Sequence, residues 1–307
     1  MSAYKTHIVF NPSAAGGRAG KNKSKIVSEL NHQLGNSFDV SETHSNNDAT
    51  RITIDAISAG YNVIIAVGGD GTLNQVVNGF LQTGSHKEHQ TRLGVISFGT
   101  GQGFAQSIGL PKDLMSQIAV IKNDDSKLTD VGKICFGEGQ PAKYFLNEFQ
   151  LGIGGTLCRD ISPDTKRKLG KFAFGFEAVK NLLSYEAKEI KMTINQSSFT
   201  EKAIGVVIAN GSYTGGGMRL TPDALLDDGL FDVLVIRDMP LLDRLHGFSQ
   251  IYSGRHTGMQ AFKLLKTKEI KFAFGNGLPA EADGEPMINK CISAEVIPSA
   301  LRVITNN

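Results

Sequence analysis

The chain has 307 residues, of which 40% are hydrophobic and 20% are charged, as is typical of a folded protein with about two domains. Its formal net charge of +2 at pH 7 does not favour nucleic acid as the main partner. The cysteines lack CxxC spacing and therefore indicate neither a zinc site nor a disulfide framework; they are Cys135, Cys158 and Cys291.

Short apolar strands alternate with amphipathic helices through the first part of the chain. The predicted strands are Lys5–Phe10, Phe38–Thr43, Val63–Val67 and Leu93–Ile96. The predicted helices between them end near Leu34 or span Asp48–Ala59 and Leu73–Leu81. This alternation is typical of a Rossmann-like, doubly wound α/β domain, whose parallel strands present ligand sites at their carboxyl ends. We place this domain at residues 1–127, because the polar break Asn123–Lys127 follows its last helix.

The turn after the third predicted strand carries the clearest chemical signal. Its sequence is GGDGT, residues Gly68–Thr72. Glycines let the backbone approach a ligand closely, and the unpaired amides at a helix start suit phosphate. Asp70 would repel phosphate unless it binds Mg²⁺ or meets a hydroxyl group. The turn therefore predicts phosphoryl transfer, although Asp-Gly is also common in turns without any function.

Polar or glycine-rich loops follow the other three predicted strands as well. These loops are Asn11–Gly17, Thr43–His44 and Ser97–Phe104. Because the carboxyl ends of parallel strands share one edge, we expect all four loops to lie close together. Their convergence favours a nucleotide site more strongly than a single glycine motif does, and Arg18 or Lys21 would supply a counter-charge to the phosphates.

The remaining residues, 128–307, have a different texture. Strand-like runs such as IGVVIANGSY and GLFDVLVI dominate, and helical stretches are few. This pattern favours a second domain that is β-rich and mostly antiparallel.

Several ordered motifs cover nearly the whole chain. They are NPSAAGG, GGDGTLNQVVNG, GTGQGFAQSIGLP, Asp130-Val131-Gly132, YFLNEFQLGIGG, TPDALLDDGLFDVLVI and Asp283-Gly284-Glu285. In these motifs the chain resembles the diacylglycerol kinase catalytic-domain family, which includes bacterial soluble lipid kinases and sphingosine kinases. The resemblance implies an ATP- and Mg²⁺-dependent kinase acting on diacylglycerol or a related lipid. It also implies a β-sandwich-like second domain and an active site in the interdomain cleft.

The resemblance further implies catalytic and nucleotide-binding roles for individual residues. Glu285 would act as the general base, with Asp283 beside it and Asp70 on the phosphate-binding turn. The nucleotide would be held by Asn11, Pro12, Ser13, Ala14, Gly16, Thr43, Gly69, Asp70, Gly71, Thr72, Leu73, Asn74, Gln75 and Thr100. Asp283-Gly284 is also a common hairpin-turn pair, so a purely structural role stays open for it.

A Mg²⁺ site is implied near the sequence DALLDDGL. The carboxylate of Asp228 and the backbone carbonyls of Leu225 and Leu230 would supply the oxygen ligands that a hard cation prefers. The alternative is that Asp227–Gly229 forms only a turn before the next strand.

Two departures from the family pattern bear on nucleotide placement or substrate choice. The family usually has GTxND where this chain has Gln102 and Gly103, and it has a proline where this chain has Phe98. These changes motivate one alternative function, a nucleotide-binding regulator with little catalysis. A second alternative is an NAD kinase, which shares GGDGT but fits the other motifs poorly.

The expected partners follow from a lipid acceptor. The segment Lys166–Leu183 is basic and rich in phenylalanine, so it is either an interfacial helix or a buried crossover helix. No run of about 18 apolar residues and no signal-peptide pattern is present. We expect a cytoplasmic protein with a lipid substrate, peripheral contact with the inner face of the membrane and no nucleic-acid partner; a homo-oligomer stays open.

Overall fold

The computed structural model describes residues 5–35, 38–84, 91–99, 101–160, 179–273, 277–288 and 290–306. The chain forms two compact units. Unit one consists of Met1–Val131 and Pro298–Asn307, and unit two consists of Gly132–Ile297. The units divide after Val131, slightly later than the predicted boundary after residue 127. The end of the chain returns to unit one.

Unit one is built on a parallel sheet. Its strands are β1 (Thr6–Phe10), β2 (Phe38–Glu42), β3 (Val63–Gly68) and β4 (Arg92–Ser97), in the order β2-β1-β3-β4. Every residue of β3 is buried, which explains its unbroken apolar sequence. Beyond β4, the end of the last strand pairs in parallel through Arg302 opposite Arg92. The predicted parallel α/β architecture is confirmed.

Helices connect the strands of unit one. They are α1 (Ala14–Lys21), α2 (Lys23–Leu34), α3 (Asp48–Ser58), α4 (Asp70–Thr83), α5 (Gly103–Ser107) and α6 (Leu114–Asn123). Helices α3 and α4 can pack closely because Gly79 has no side chain. A Cβ at that position would lie only 2.7 Å from Cβ of Thr53. The hydroxyl of Thr50 also donates to the carbonyl of Gln75 over 2.8 Å. These contacts fix α4, the helix that follows the GGDGT turn.

Unit two is built from antiparallel strands. After β5 (Ser126–Cys135), which has residues in both units, come β6 (Lys143–Phe145), β7 (Glu148–Gly152), β8 (Lys188–Ile194), β9 (Ser197–Ala209), β10 (Phe231–Arg237), β11 (Phe262–Thr267), β12 (Glu269–Phe272), β13 (Ala280–Ala282), β14 (Glu285–Met287) and β15 (Ser293–Ile304). The main strand order is β14-β13-β7-β9-β8-β12-β15, and β10 pairs with both β9 and β11. The longer helices among the described residues of this unit are α7 (Ile153–Asp160) and α8 (Leu241–Ile251). The predicted β-rich, antiparallel second domain is confirmed.

The core of unit two is aromatic at its centre. The rings of Phe145 and Phe231 stack with their centroids 5.5 Å apart, and both side chains are fully buried. A Cβ on Gly132 would lie 2.1 Å from the ring of Phe145, so only glycine fits there. Strand β9 becomes continuously buried from Ala203 onward, because it pairs there with β7 on one edge and β10 on the other.

In the described part of the chain, no helix is both long and apolar enough to cross a bilayer. Most of the basic segment singled out from the sequence, residues 166–178, lies outside the described residues. Its end belongs to a short helical stretch, residues 179–184, in which Val179 and Leu183 are exposed.

Candidate functional site

The glycine turn of unit one is compact. Gly68 ends β3, Gly69 is the N-cap of α4 in an extended conformation, and Asp70 lies in the first turn of the helix. The helix therefore begins at Asp70, earlier than the sequence prediction near Leu73. A Cβ on Gly68 would lie 2.5 Å from Oγ1 of Thr72, so the absent side chain lets the helix start directly at the strand end.

The loop after β1 is tied to this turn. Nδ2 of Asn11 donates to Oγ1 of Thr72 over 2.8 Å, while Oδ1 of Asn11 accepts from the backbone N–H of Ser13 over 2.9 Å. The backbone N–H of Asn11 also donates to the carbonyl of Val67 over 2.9 Å. Three of the predicted nucleotide-binding residues, Asn11, Ser13 and Thr72, are thus brought together.

The same loop folds back on α1. The N–H of Gly20 donates to the carbonyl of Pro12 over 3.0 Å, and a Cβ on Gly20 would lie 2.9 Å from that oxygen. The residues between them include three with left-handed φ angles: Ala15 at 54°, Gly16 at 67° and Gly17 at 84°. Two glycines in this stretch accommodate a conformation that most residues avoid.

The loop after β4 reaches the glycine turn as well. A Cβ on Gly99 would lie 3.3 Å from Cα of Gly69, and the N–H of Phe98 donates to the carbonyl of Gly68 over 2.7 Å. Gln102, which departs from the family pattern, has a φ of 53°, and its amide donates to the carbonyl of Ser97 over 3.4 Å. The predicted contact residue Thr100 lies outside the described residues.

The remaining nucleotide candidates occupy the neighbouring elements. Thr43 follows β2, and its N–H donates to the carbonyl of Phe10 over 2.9 Å. At the start of α3, the carboxylate of Asp48 accepts hydrogen bonds from the backbone amides of His44 and Ser45. These bonds lower the pKa of Asp48. Leu73 is buried in α4, and the other candidates lie in the irregular start of α1 or the first turns of α4: Ala14, Gly16, Gly71, Asn74 and Gln75. Their nucleotide contacts stay a prediction.

In unit two, the two predicted catalytic acids lie on the hairpin formed by β13 and β14. Glu285 is exposed at the start of β14, whereas Asp283 is buried in the turn before it. The carboxylate of Asp283 accepts three backbone N–H groups, from Leu146 at 2.8 Å, Asn147 at 2.9 Å and Glu148 at 3.0 Å. These bonds make Asp283 the anchor of the turn, and its predicted catalytic role stays untested.

Two further acids, which were not predicted from the sequence, lie on this hairpin and on the strand paired with it. Glu148 and Glu281 are buried on the paired strands β7 and β13. Glu148 accepts a hydrogen bond from the hydroxyl of Thr214. Burial, and then the charge of Glu148, raise the pKa of Glu281 well above its usual range. The available signal was an acid inside each apolar run, FLNEFQL and LPAEADG.

The region predicted to hold a metal contains a lysine. Oδ2 of Asp228 lies 2.9 Å from Nζ of Lys266, and Oδ1 of Asp228 accepts from the backbone N–H of Leu230 over 3.0 Å. Nζ of Lys266 also lies 3.2 Å from Oδ2 of Asp232. Among the described residues, no cluster of three or more His, Cys, Asp or Glu side chains could hold a metal ion. The ammonium of Lys266 already compensates the carboxylate of Asp228. In this arrangement the predicted ligands, Asp228 with the carbonyls of Leu225 and Leu230, therefore do not fit a metal ion.

Comparison with known proteins identifies both parts of the chain. Residues 5–134 match the family described as the diacylglycerol kinase catalytic domain. Residues 153–305 match the family described as the YegS C-terminal NAD kinase beta sandwich-like domain. The two matches follow each other in the order expected from the sequence motifs.

Individual relatives extend over most of the chain. A Staphylococcus saprophyticus protein named diacylglycerol kinase is 28% identical over 285 residues, which are 92% of this chain and 88% of that protein. A Shewanella frigidimarina protein named "Probable lipid kinase YegS-like" is 26% identical over 272 residues, 89% of this chain and 85% of that protein. A crystal structure described as a diacylglycerol kinase from Bacillus anthracis strain Sterne shares the fold, with a TM-score of 0.76 at 24% identity, covering 98% of this chain and 97% of that one.

Proposed function

Because the chain belongs to the diacylglycerol kinase catalytic-domain family, we propose that it is a lipid kinase that transfers the γ-phosphoryl group of ATP, with Mg²⁺, to a hydroxyl of diacylglycerol or a related lipid. The observation that carries this proposal is the glycine turn of unit one, tied by Thr72 to Asn11. Phosphoryl transfer depends on positioning and on charge neutralisation, and this turn suits both.

Unit one supplies the groups for the nucleotide. The first amides of α4 lack partners within the helix and lie at the positive end of its dipole, which favours phosphate. Asp70, half-buried in that first turn, is a carboxylate among these amides. A carboxylate there fits Mg²⁺, because the cation offsets its repulsion of phosphate and prefers oxygen ligands. When bound with ATP, Mg²⁺ would neutralise charge on the transferred group.

Unit two supplies a base for the acceptor. Glu285 is exposed at the start of β14, directly after a turn that is fixed by three hydrogen bonds to Asp283. A fixed carboxylate can orient a lipid hydroxyl and accept its proton as the new P–O bond forms. Asp283 has its oxygens committed to backbone amides, so Glu285 is the better candidate for the base.

The test is a transfer assay with a panel of acceptors. Radiolabelled ATP and Mg²⁺ are incubated with the purified protein and detergent-dispersed diacylglycerol, monoacylglycerol, sphingosine or ceramide, with NAD as a soluble acceptor. We expect labelled phospholipid, and a loss of about 10²–10⁴-fold in kcat for Glu285→Gln. Calorimetry should show that Glu285→Gln still binds ATP, whereas Asp70→Asn binds Mg·ATP more weakly.

The matched control is Glu189→Gln, an exposed acid on β8 that should keep full activity. Labelled NADP without labelled lipid would replace the proposal with an NAD kinase. Nucleotide binding with no transfer to any acceptor would instead support a regulatory protein. Full activity in both Asp70→Asn and Glu285→Gln would show that the proposed roles are wrong.

A further inference from the structure

The two peptide groups that flank Gly284, the residue before Glu285, are each held by a side chain. Oε2 of Glu281 accepts from the N–H of Gly284 over 2.7 Å. On the other side, the thiol of Cys158 on α7 donates to the carbonyl of Gly284, with the sulfur 3.0 Å from the oxygen. Helix α7 can approach this hairpin closely because Gly155 has no side chain. A Cβ at that position would lie 2.3 Å from the backbone of Pro279. The orientation of Glu285 therefore depends on these side chains.

Glu281 lies in an unusual place for a carboxylate. It is only 3% exposed. Among the residues that the structure describes, the charged groups that face it are acids: Glu148 on β7, and Asp283 and Glu285 on its own hairpin. On α7, Cys158 contacts the same turn through the carbonyl of Gly284. Oε1 of Glu281 is buried without a hydrogen-bond partner, so a negative charge on this group would lack compensation.

Glu281 differs from the neighbouring acids in having an oxygen, Oε1, that is buried without a partner. Asp283 accepts three backbone amides, and Glu148 accepts the hydroxyl of Thr214. Burial and the surrounding carboxylates raise the pKa of Glu281 well above its usual range. The group that costs least to protonate in this cluster is therefore Glu281.

We infer that Glu281 is a positioning residue that acts in its neutral, protonated form. It holds the Gly284 amide, so that the hairpin presents Glu285 to the acceptor without a further negative charge beside it. This inference rests on the proposed function, in which Glu285 is the base. Glu281 itself does not contact the reacting atoms in this account.

The inference has a pH signature. Above the ordinary pKa of a glutamate, an unfolded chain releases this proton while the folded chain keeps it, so Glu281 lowers stability progressively as pH rises toward its folded pKa. Ionisation of Glu281 at still higher pH would place charge beside Glu285 and lower kcat. Glu281→Gln keeps an oxygen for the Gly284 amide but cannot ionise, so it should be free of both effects.

The experiment compares Glu281→Gln and Glu281→Leu with Glu189→Gln as the control. We expect Glu281→Gln to keep most of the transfer activity at pH 7 and to lose the alkaline fall in kcat. Glu281→Leu leaves the Gly284 amide without an acceptor and should lose about 10–100-fold in kcat, with KM for ATP unchanged. In urea unfolding from pH 5 to 9, Glu281→Gln should become increasingly more stable than the wild type as pH rises, while Glu189→Gln should follow the wild type.

Two results would overturn the inference. One is an equal loss of activity in Glu281→Gln and Glu281→Leu. The other is a stability difference between Glu281→Gln and wild type that does not change with pH. If Glu281→Leu does not fold, the two pH profiles of Glu281→Gln still decide the question. If the wild type phosphorylates no acceptor, the proposed function fails, and the unfolding series alone still shows whether Glu281 is neutral in the folded protein.

Discussion

Nδ2 of Asn11 donates a hydrogen bond to Oγ1 of Thr72 over 2.8 Å, across 61 residues of sequence. The bond joins the loop after β1 to the first turn of α4. It forms because β1 and β3 are neighbours in parallel register, with Phe10 opposite Val67. Two loops that we propose to hold one nucleotide are therefore fixed relative to each other before the nucleotide binds.

Removal of this bond should weaken both folding and nucleotide binding. For Asn11→Ala we expect a loss of about 1 kcal/mol in the free energy of unfolding, the typical worth of one hydrogen bond. ATP affinity should fall as well, since the loop is no longer pre-organised. Urea unfolding and titration calorimetry measure the two effects. In a double-mutant cycle with Thr72→Val, a coupling energy near zero would show that the side chains act independently.

A methyl group at Gly68 should disrupt the glycine turn. Its Cβ would lie 2.5 Å from Oγ1 of Thr72, so the start of α4 must shift. For Gly68→Ala we expect a loss of about 1–3 kcal/mol in the free energy of unfolding, the usual cost of overpacking, together with weaker ATP binding. The control is Gly258→Ala, where no atom lies within 4 Å of an added Cβ. Equal stability of the two variants would contradict the crowding at Gly68.

The sequence predicted unit one well, for a physical reason. An apolar run such as Val63–Val67 followed by glycines defines a buried strand and its end locally, without reference to distant residues. The start of α4 was placed too late, near Leu73 instead of Asp70. Asp70 and Gly71 are weak helix formers, and they lie in the helix because Gly68, without a side chain, leaves room for Thr72 directly at the strand end.

Other features depend on pairings that a local pattern does not encode. Glu281 is buried because β13 pairs with β7, where it lies opposite Gln150. The pairing joins segments separated by more than a hundred residues, so no local pattern brings these two acids together. The same limit applies to the end of β15, whose residues Pro298–Ile304 belong to unit one.

Asp283 provides a test of anchoring against catalysis. Asp283→Ala leaves three backbone amides without their acceptor, and each buried unsatisfied group costs about 1–3 kcal/mol. We therefore expect Asp283→Ala to destabilise the protein severely in urea. The matched control, Asp113→Ala, removes the exposed acceptor of the Ser116 amide and should destabilise the protein far less. If Asp283→Ala kept wild-type stability but lost transfer, its role would be catalytic instead.

Lys266 should reduce the effect of Mg²⁺ on stability. It contacts Asp228 and the buried Asp232, so Lys266→Met should lower the free energy of unfolding by about 1–3 kcal/mol. Without the ammonium, the carboxylates become oxygen ligands for a cation. Melting curves without nucleotide should show a larger Mg²⁺-induced rise in Tm for Lys266→Met than for wild type.

The control for this prediction is Lys271→Met, which removes an exposed lysine 3.2 Å from Glu269. It should change neither Tm nor the response to Mg²⁺ by much, since exposed ion pairs contribute little. An equal rise in Tm with Mg²⁺ in wild type and Lys266→Met would contradict the prediction that Lys266 limits the response to Mg²⁺.

His256 should make the folded state sensitive to mild acid. Its ring is fully buried in unit two, and Nε2 donates to the carbonyl of Leu220 over 3.0 Å. Burial lowers the pKa of His256 below its usual value of 6.5, more than this hydrogen bond raises it. An unfolded chain therefore takes up a proton near pH 6.5 that the folded chain resists. The stability that His256 contributes is complete above about pH 6.5 and is lost as pH falls toward the folded pKa.

Urea unfolding at pH 7.5 and pH 5.5 measures this loss. For wild type we expect a fall in the free energy of unfolding, with His256 contributing at most about 1.4 kcal/mol per pH unit. His256→Gln keeps an N–H for Leu220 but cannot take up the proton, so its stability should fall less over the same range. His246→Gln, which removes an exposed histidine on α8, should behave as the wild type does because that group is solvated in both states. An equal fall in His256→Gln and wild type would show that burial does not lower the pKa of His256 in the folded protein.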